Sequence, residues 1–164
     1  MISIRKAVIT DIRAITAIYN EAILNTTATF DTETKTVENR KEWFLNRDEN
    51  FPVIVAEKNN EIVGFASLNR WSDRKAYDIT AENSLYIDAK YRNQGIGKKL
   101  LEVLIGIGKE TNLISILARI SEGNEQSIYL HELNGFEKVG TMKKVGRKFG
   151  KLLDVTLMQK IYQK

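Results

Sequence analysis

The run Tyr91-Arg92-Asn93-Gln94-Gly95-Ile96-Gly97-Lys98-Lys99-Leu100-Leu101 decides how this chain is read. Before it stands a strand-like stretch, Asn83-Ser84-Leu85-Tyr86-Ile87, and after it an apolar pattern of helical spacing begins. Two glycines one residue apart therefore sit where strand turns into helix. The first amides of such a helix have no partner within it and point one way. The positive end of the helix dipole adds to them. The result is a seat for a phosphate or pyrophosphate. Gly95 and Gly97 let a ligand reach the backbone with no Cβ in the way, and Lys98 and Lys99 flank the seat.

Spacing narrows the choice of ligand. A dinucleotide fingerprint requires G-x-G-x-x-G, and its third glycine would fall on Leu100. The P-loop pattern G-x-x-x-x-G-K-[ST] occurs nowhere in the chain. What stands here is R-x-x-G-x-G, from Arg92 to Gly97. Taken alone, the hexapeptide reads equally as a glycine-rich turn that holds no ligand.

Outward from this run, strands alternate with helices. Ile2-Ser3-Ile4-Arg5 alternates apolar and polar and reads as a strand. Thr10 is a candidate N-cap for a helix to about Leu24, with Ile12, Ile15, Ile18, Tyr19 and Ala22 on one face. Thr36 can cap a second helix through Trp43 and Phe44. Phe51 to Ala56 and Ile62 to Ser67 read as a hairpin turning at Asn59-Asn60. Another strand covers about Ala81 to Asp88. The helix after the glycines places Ile96, Leu100, Leu104 and Ile107 on one face. Leu113 to Ala118 is a short apolar run suited to a buried strand. Asn124 can cap a helix through Leu133, closed by Asn134-Gly135. Two strands follow, near Phe136–Val139 and Leu152–Met158. The pattern predicts an α/β fold: a mixed sheet with helices on both faces.

R-x-x-G-x-G resembles the acetyl-CoA pyrophosphate loop of the GNAT superfamily of N-acetyltransferases. Ile4-Arg5-Lys6-Ala7 with Thr10-Asp11-Ile12 is similar to the opening of that superfamily. Asn124, Ser127, Leu130 and Leu133-Asn134-Gly135-Phe136 are similar to its later helix and turn. Within the superfamily the chain resembles the phosphinothricin and methionine sulfoximine acetyltransferase branch. The residues that carry this likeness are Ile18-Tyr19-Asn20, Ala28-Thr29-Phe30, Ala76-Tyr77-Asp78, Glu82 with Ser84 and Tyr86, Leu130-His131-Glu132, and Lys148-Phe149-Gly150 with Asp154. The resemblance implies a mostly antiparallel GNAT-like sheet in which two neighbouring parallel strands splay apart to admit the pantetheine arm. It also implies acetyl-CoA as cosubstrate, a small amino-acid-like amine as acceptor, and a homodimer.

Length and composition bound the alternatives. A chain of 164 residues suits one domain, residues 1–164. With no cysteine, thiolate nucleophiles, disulfides and Cys-based metal sites are excluded, and the single histidine excludes a His-rich zinc site. No metal is expected. There is no basic-then-apolar leader and no apolar run of membrane-spanning length, so a cytoplasmic protein without membrane contact is expected. The charge of +4 is modest, and the basic run Lys143 to Lys148 reads as a solvated face. It lacks the length and interleaved aromatics that nucleic-acid binding wants.

Acetyl transfer to an amine needs a neutral amine, a polarised thioester carbonyl and a proton for the leaving sulfur. Lysine and α-amino groups are mostly charged at neutral pH, so a general base helps. Strand alternation puts Glu82, Ser84 and Tyr86 on one face, with Leu85 and Ile87 on the core side. Glu82, which also matches the family's base position, is the candidate base. A solvated strand-end glutamate is the alternative. Backbone amides around Leu85, Tyr86 and Ile87 are the expected donors to pantetheine and the thioester oxygen. Arg92, Asn93, Gln94, Gly95, Ile96, Gly97, Lys98 and Lys99 would hold the pyrophosphate, with Asn124 and Ser127 beside the cofactor.

Asn124, Ser127, Ile128 and His131 form one helical stripe. Many GNAT enzymes carry a tyrosine acid where this chain has His131. The ring could protonate the CoA thiolate as imidazolium, contact substrate, relay a proton, or simply be a buried structural histidine. Tyr129 is the fallback acid. The resemblance puts Phe30, Arg74, Tyr77 and Lys148 near the acceptor, with Arg74 able to pair with a carboxylate. An ordinary surface cation is the alternative for Arg74 and Lys148. Trp43 and Trp71 read as packing or dimer residues.

Overall fold

The computed structural model describes all 164 residues. A seven-stranded sheet runs in the order β1-β2-β3-β4-β5-β7-β6. Its strands are β1 (Ile2–Lys6), β2 (Val53–Lys58), β3 (Glu61–Arg70), β4 (Thr80–Ile87), β5 (Ser115–Ser121), β6 (Glu137–Lys148) and β7 (Lys151–Ile161). Every neighbouring pair is antiparallel except β4 and β5. Helices α1 (Ile12–Asn25) and α2 (Val37–Leu45) lie toward one face, and α3 (Ile96–Lys109) and α4 (Glu125–Leu133) toward the other. No helix is long and apolar enough to cross a membrane.

The apolar stripes read from the sequence pack as expected. Ile12, Ile15, Ile18, Tyr19 and Ile23 of α1 close over Val53, Val55 and Phe65. On the opposite face Ile96, Leu100 and Leu104 of α3 close over Ile54, Ala66, Leu68 and Ile116. The β2–β3 hairpin turns on Asn59 and Asn60, both at positive φ (51° and 64°), as a two-residue primed turn demands.

The ends of the helices needed two corrections. Thr36 caps α2 as expected, its Oγ1 accepting from the Asn39 amide at 3.0 Å. Thr10 does not cap α1. It lies exposed in a 3-10 turn, Ile9–Asp11, and the Asp11 carboxylate instead accepts from the Val8 amide at 2.8 Å and from Arg5. Asn124 occupies the N-cap position of α4, but its side chain makes no capping bond.

The last hairpin is longer than its sequence suggests. β6 reaches Lys148, because residues 143–145 leave the ladder as an excursion between the pairs Met142↔Val155 and Gly146↔Leu153. Asp154 holds that excursion, accepting from the Lys144 amide at 2.8 Å and the Lys143 ammonium at 3.1 Å. Lys144 sits at φ 52° within it.

The feature that positions the site is the seam between β4 and β5. They pair at only Thr80↔Ser115, Ala81↔Ile116 and Glu82↔Leu117. Beyond Glu82 the strands diverge, so residues 83–87 of β4 and 118–121 of β5 have no partner across the seam. The expected splay is thus present in the register.

Candidate active site

The glycine run makes the expected turn into a helix. Asn93 and Gly95 both take left-handed backbone conformations (φ 61° and 79°), and Gly95 is the N-cap of α3. Left-handed residues so close together turn successive amides inward, a nest for an anion. The first bond of the α3 ladder runs from the Lys99 amide to the Gly95 carbonyl at 3.3 Å, leaving the amides of Ile96, Gly97 and Lys98 open at the helix start. Lys98 reaches Glu102 at 3.9 Å, and Lys99 is exposed. Arg92 is turned toward the sheet, donating to the Ile87 carbonyl at 3.2 Å and pairing with Glu21 of α1. Gln94 accepts from Lys58 at 3.3 Å.

From this seat the splayed seam runs inward. Asp88 donates to the Val63 carbonyl at 2.9 Å. Because an antiparallel ladder alternates, the amides of residues 88, 86, 84 and 82 face β3. Those of Ile87, Leu85 and Asn83 face the seam. The Leu85 and Ile87 amides are therefore the free donors, whereas that of Tyr86 is spent on β3. The Tyr86 ring instead packs edge-on to Tyr19 and against Phe65, and burial pushes its phenol up to about 12.

The cleft opened by the splay has a volume of about 590 Å³. It is lined by residues of β4 and β5, the segment Thr27–Asp31, Asn124, Ser127 and His131 of α4, and Met142 and Val145 of β6. A larger hollow of about 660 Å³ lies between α3 and the β6–β7 hairpin, lined by Lys109, Lys138 and Lys160 among others. It has no residue of β4 in its lining, whereas the cleft takes in Glu82 and Leu85, so chemistry rather than size selects the site.

The segment over the cleft is tied down at several points. The Tyr19 hydroxyl bonds Thr29 Oγ1 at 3.1 Å and donates to the Asp31 carboxylate. Ser121 donates to the Thr27 carbonyl at 2.7 Å, and Asn20 grips both the N–H and C=O of Lys35 at 2.8 and 2.9 Å. Phe30 lines the cleft, its ring laid against Gly146, where any Cβ would overlap it.

Glu82 is the last β4 residue paired across the seam, and its side chain faces the cleft. It is not free in water. Both carboxylate oxygens accept from Arg119 of β5, one of them at 2.8 Å from Nη2. Arg119 also lies over the Trp71 ring at 5.3 Å. The hydrogen bonds to Glu82 hold the Arg119 pKa above its ordinary value.

His131 lies on the other side of β4, since it meets Asn83, whose side chain points opposite to that of its neighbour Glu82. The ring is 2% exposed and packs edge-on to Phe136. Nδ1 lies 2.7 Å from the Ser127 carbonyl, which can only accept, so Nδ1 carries the proton. Nε2 then accepts from the Asn83 amide at 3.2 Å. Burial lowers the ring's pKa, against the opposing effect of the Ser127 hydrogen bond. In this setting His131 is a neutral, oriented imidazole. Tyr129 is exposed and lines no part of the cleft.

The expected acceptor residues divide. Phe30 is in the cleft. Arg74 and Tyr77 sit in an exposed turn beyond β3 and line no part of it. Lys148 is buried, its ammonium donating to the Thr29 carbonyl at 2.8 Å, and burial lowers its pKa. It supports the segment over the cleft and is not among the residues that line it. Sequence reasoning missed Arg119, Asn83 and Asp31. Arg119 had a signal, being the one charged residue within Ile116-Leu117-Ala118-Arg119-Ile120. Asn83 and Asp31 had none.

Comparison with known proteins agrees with this geometry. The model for the acetyltransferase (GNAT) family matches residues 15–136. The L-methionine sulfoximine/L-methionine sulfone acetyltransferase of Pseudomonas aeruginosa is 40% identical over 159 residues, 96% of this chain and 92% of the relative. A Brucella melitensis crystal structure named ribosomal-protein-alanine N-acetyltransferase superposes with a TM-score of 0.94 at 41% identity, covering 98% of this chain and 99% of that one. The Salmonella typhimurium acetyltransferase yncA, solved with acetyl-CoA, gives a TM-score of 0.94 at 37% identity, covering 98% and 93%. A helix-start anion seat, free strand amides beside a carboxylate, and a family match over most of the chain lead to one conclusion: the chain belongs to the GNAT family, as an acetyl-CoA-dependent N-acetyltransferase.

Proposed function

We propose that this enzyme acetylates the α-amino group of small amino acids of the methionine sulfoximine, methionine sulfone or phosphinothricin type, by direct attack within a ternary complex. The observation that carries the reading is Glu82, set at the apex of the seam along which the free amides of Leu85 and Ile87 follow. Acetyl-CoA, when bound, supplies the activated acetyl group. The amides of Ile96, Gly97 and Lys98, with Asn93, Gly95 and Lys99, would hold its pyrophosphate. Arg92 and Gln94 would turn from their protein partners to join them. Asn124 and Ser127 line the pantetheine side.

The Leu85 and Ile87 amides are the donors along the cofactor arm, one for the thioester oxygen and the other for pantetheine; one well-placed donor to the thioester oxygen is worth about 3 kcal/mol. Glu82 takes a proton from the acceptor ammonium, directly or through water, and the freed lone pair attacks the acetyl carbon, displacing the CoA sulfur, which takes up the second amine proton. His131 is a positioning residue, since its neutral ring fixes Asn83 of β4 against α4.

Phe30, Met142 and Val145 give the acceptor end an apolar wall suited to a compact side chain. The name of the Brucella structure favours a second reading, acetylation of a protein N-terminus, which requires an open groove. The exposed apolar residues Val139, Met142, Val145, Phe149 and Leu152 on β6 and β7 support a homodimer of single-domain chains.

A panel of amines assayed for CoA release tests the proposal. Methionine sulfoximine, methionine sulfone and phosphinothricin should far outpace spermidine and a peptide with a free N-terminal alanine. Preference for the peptide would overturn the acceptor class and leave acetyl transfer standing.

A further inference from the structure

We infer that Arg119 receives the carboxylate of the acceptor, and that this exchange unclasps Glu82 so that it can act as base. The inference rests on the reading of Glu82 given above and adds a residue and a sequence of events to it.

Place in the sheet comes first. Glu82 and Leu117 form the last rung of the seam, and Arg119 lies two residues further along β5 on the same side of that strand. The ion pair therefore spans the opening just where the strands part. It is asymmetric toward solvent: the Arg119 side chain is 54% exposed and that of Glu82 only 16%. A ligand entering the cleft meets the guanidinium before it meets the carboxylate.

Arg119 is also the one cation among the residues lining the cleft. Lys148 is bonded to the Thr29 carbonyl, Lys35 lies 3.7 Å from Asp31, and Arg74 is out on its turn. A guanidinium carries five N–H donors in a planar fork that matches a carboxylate. Two are spent on Glu82. The Trp71 ring beneath offers a surface along which the fork can shift without losing its stacking partner.

The chemistry requires such a shift. Both Glu82 oxygens accept from Arg119, so the lone pairs that face the guanidinium are occupied, and an ammonium arriving on that side reaches them only when one of those bonds opens. A zwitterionic amino acid supplies what is needed to open it. Its carboxylate takes the Arg119 fork and its ammonium takes the Glu82 carboxylate, so one ion pair becomes two. One proton then passes from ammonium to Glu82, leaving a neutral amine whose lone pair forms the new C–N bond as the thioester C–S bond breaks; the departing sulfur takes the second amine proton and leaves as the CoA thiol, and Glu82 returns its proton to solvent. Net charge in the site does not change before that last step. An ester, amide or simple amine brings no carboxylate and leaves the clasp shut. Selectivity for amino acids thus enters through the release of the base as well as through binding.

The test compares methionine sulfone with its methyl ester in the full-length parent and in Arg119→Gln and Arg119→Lys, by CoA release at saturating acetyl-CoA. The parent should favour the acid by at least about tenfold in kcat/KM, the scale of a bidentate charge-assisted pair. In Arg119→Gln the KM for the acid should rise at least about tenfold, the KM for the ester should hold, and kcat for the ester should rise because Glu82 is unclasped. Arg119→Lys, with a point charge and no fork, should recover part of the acid preference. An unchanged unfolding midpoint and an unchanged acetyl-CoA dissociation constant would show that each variant is intact; should Arg119→Gln not fold, the acid-to-ester ratio in Arg119→Lys decides. The inference is overturned if the parent does not prefer the acid, or if the substitution lowers both substrates equally, as a merely structural Arg119 would. Absence of CoA release from the parent with any amine would instead sink the proposed function, which keeps the two failures apart.

Discussion

Replacing Glu82 by glutamine keeps the shape of the side chain and removes its ability to take a proton. The fold should barely notice. The lost ion pair is with a side chain that is 54% exposed, where such pairs are worth about 1 kcal/mol or less. Catalysis should fall sharply: a positioned general base contributes roughly 10² to 10⁴ in rate, and a loss of 10² in kcat corresponds to about 2.7 kcal/mol of barrier. The pH dependence identifies the cause. An α-amino group with a pKa of about 8 is roughly one-tenth neutral at pH 7 and nine-tenths neutral at pH 9. Glu82→Gln depends on that neutral fraction, so its deficit should shrink by nearly tenfold over this range. The parent, which takes the ammonium form, should gain little. The assay is initial-rate CoA release with methionine sulfone at saturating acetyl-CoA from pH 6.5 to 9.5. Full activity of the variant at pH 7, or a deficit that stays constant to pH 9, would refute Glu82 as the base.

Two further perturbations probe other parts of the site. A Cβ at Gly97 would lie 3.5 Å from Leu85 and 3.7 Å from Leu130, ordinary contacts, so Gly97→Val should fold yet crowd the helix-start seat; equilibrium titration should show acetyl-CoA affinity weakened at least about tenfold, or 1.4 kcal/mol, and an unchanged affinity would remove the seat from this position. The buried His131 ring has a folded pKa below its unfolded value of 6.5, so the unfolded chain gains that proton first as pH falls. Its contribution to stability is complete above about pH 6.5 and is lost as pH falls through the lower folded value. Urea unfolding should show the parent weakening from pH 7 to 5 and His131→Gln flattening that slope; identical slopes would mean that the ring is not held neutral.

What the sequence reveals and hides follows from the range of the interactions. Thr36 caps its helix through a contact three residues away, and Asn59-Asn60 turns the chain with its own backbone angles, so both are legible. Thr10 misleads because the chain makes a 3-10 turn first and α1 starts a residue later, after Asp11, whose carboxylate is fixed by Arg5 and the Val8 amide. The length of β6 is hidden because its excursion at residues 143–145 breaks the alternation that marks a strand. The glycine turn is local, and its place at the start of a helix is legible in the run itself. The clasp on Glu82 joins residues 37 apart across a parallel seam, and no local pattern announces it. The Asn83–His131 bond spans 48 residues and two layers, so the stripe on α4 gave the position of the ring without its partner or its protonation state.

The seam between β4 and β5 also has a mechanical meaning. Four strands stand on one side of it and three on the other, and only three rungs join the two groups. Within each group the strands follow tight hairpins or long ladders, so each half is stiff. Bending of the sheet must therefore collect at this one line, as along the fold of a creased card. The free amides of Leu85 and Ile87 and the Glu82 carboxylate lie along that crease. A molecule bridging it would tie two plates into one body, so amide exchange on both sides of the line should slow together, in strands that the molecule never touches.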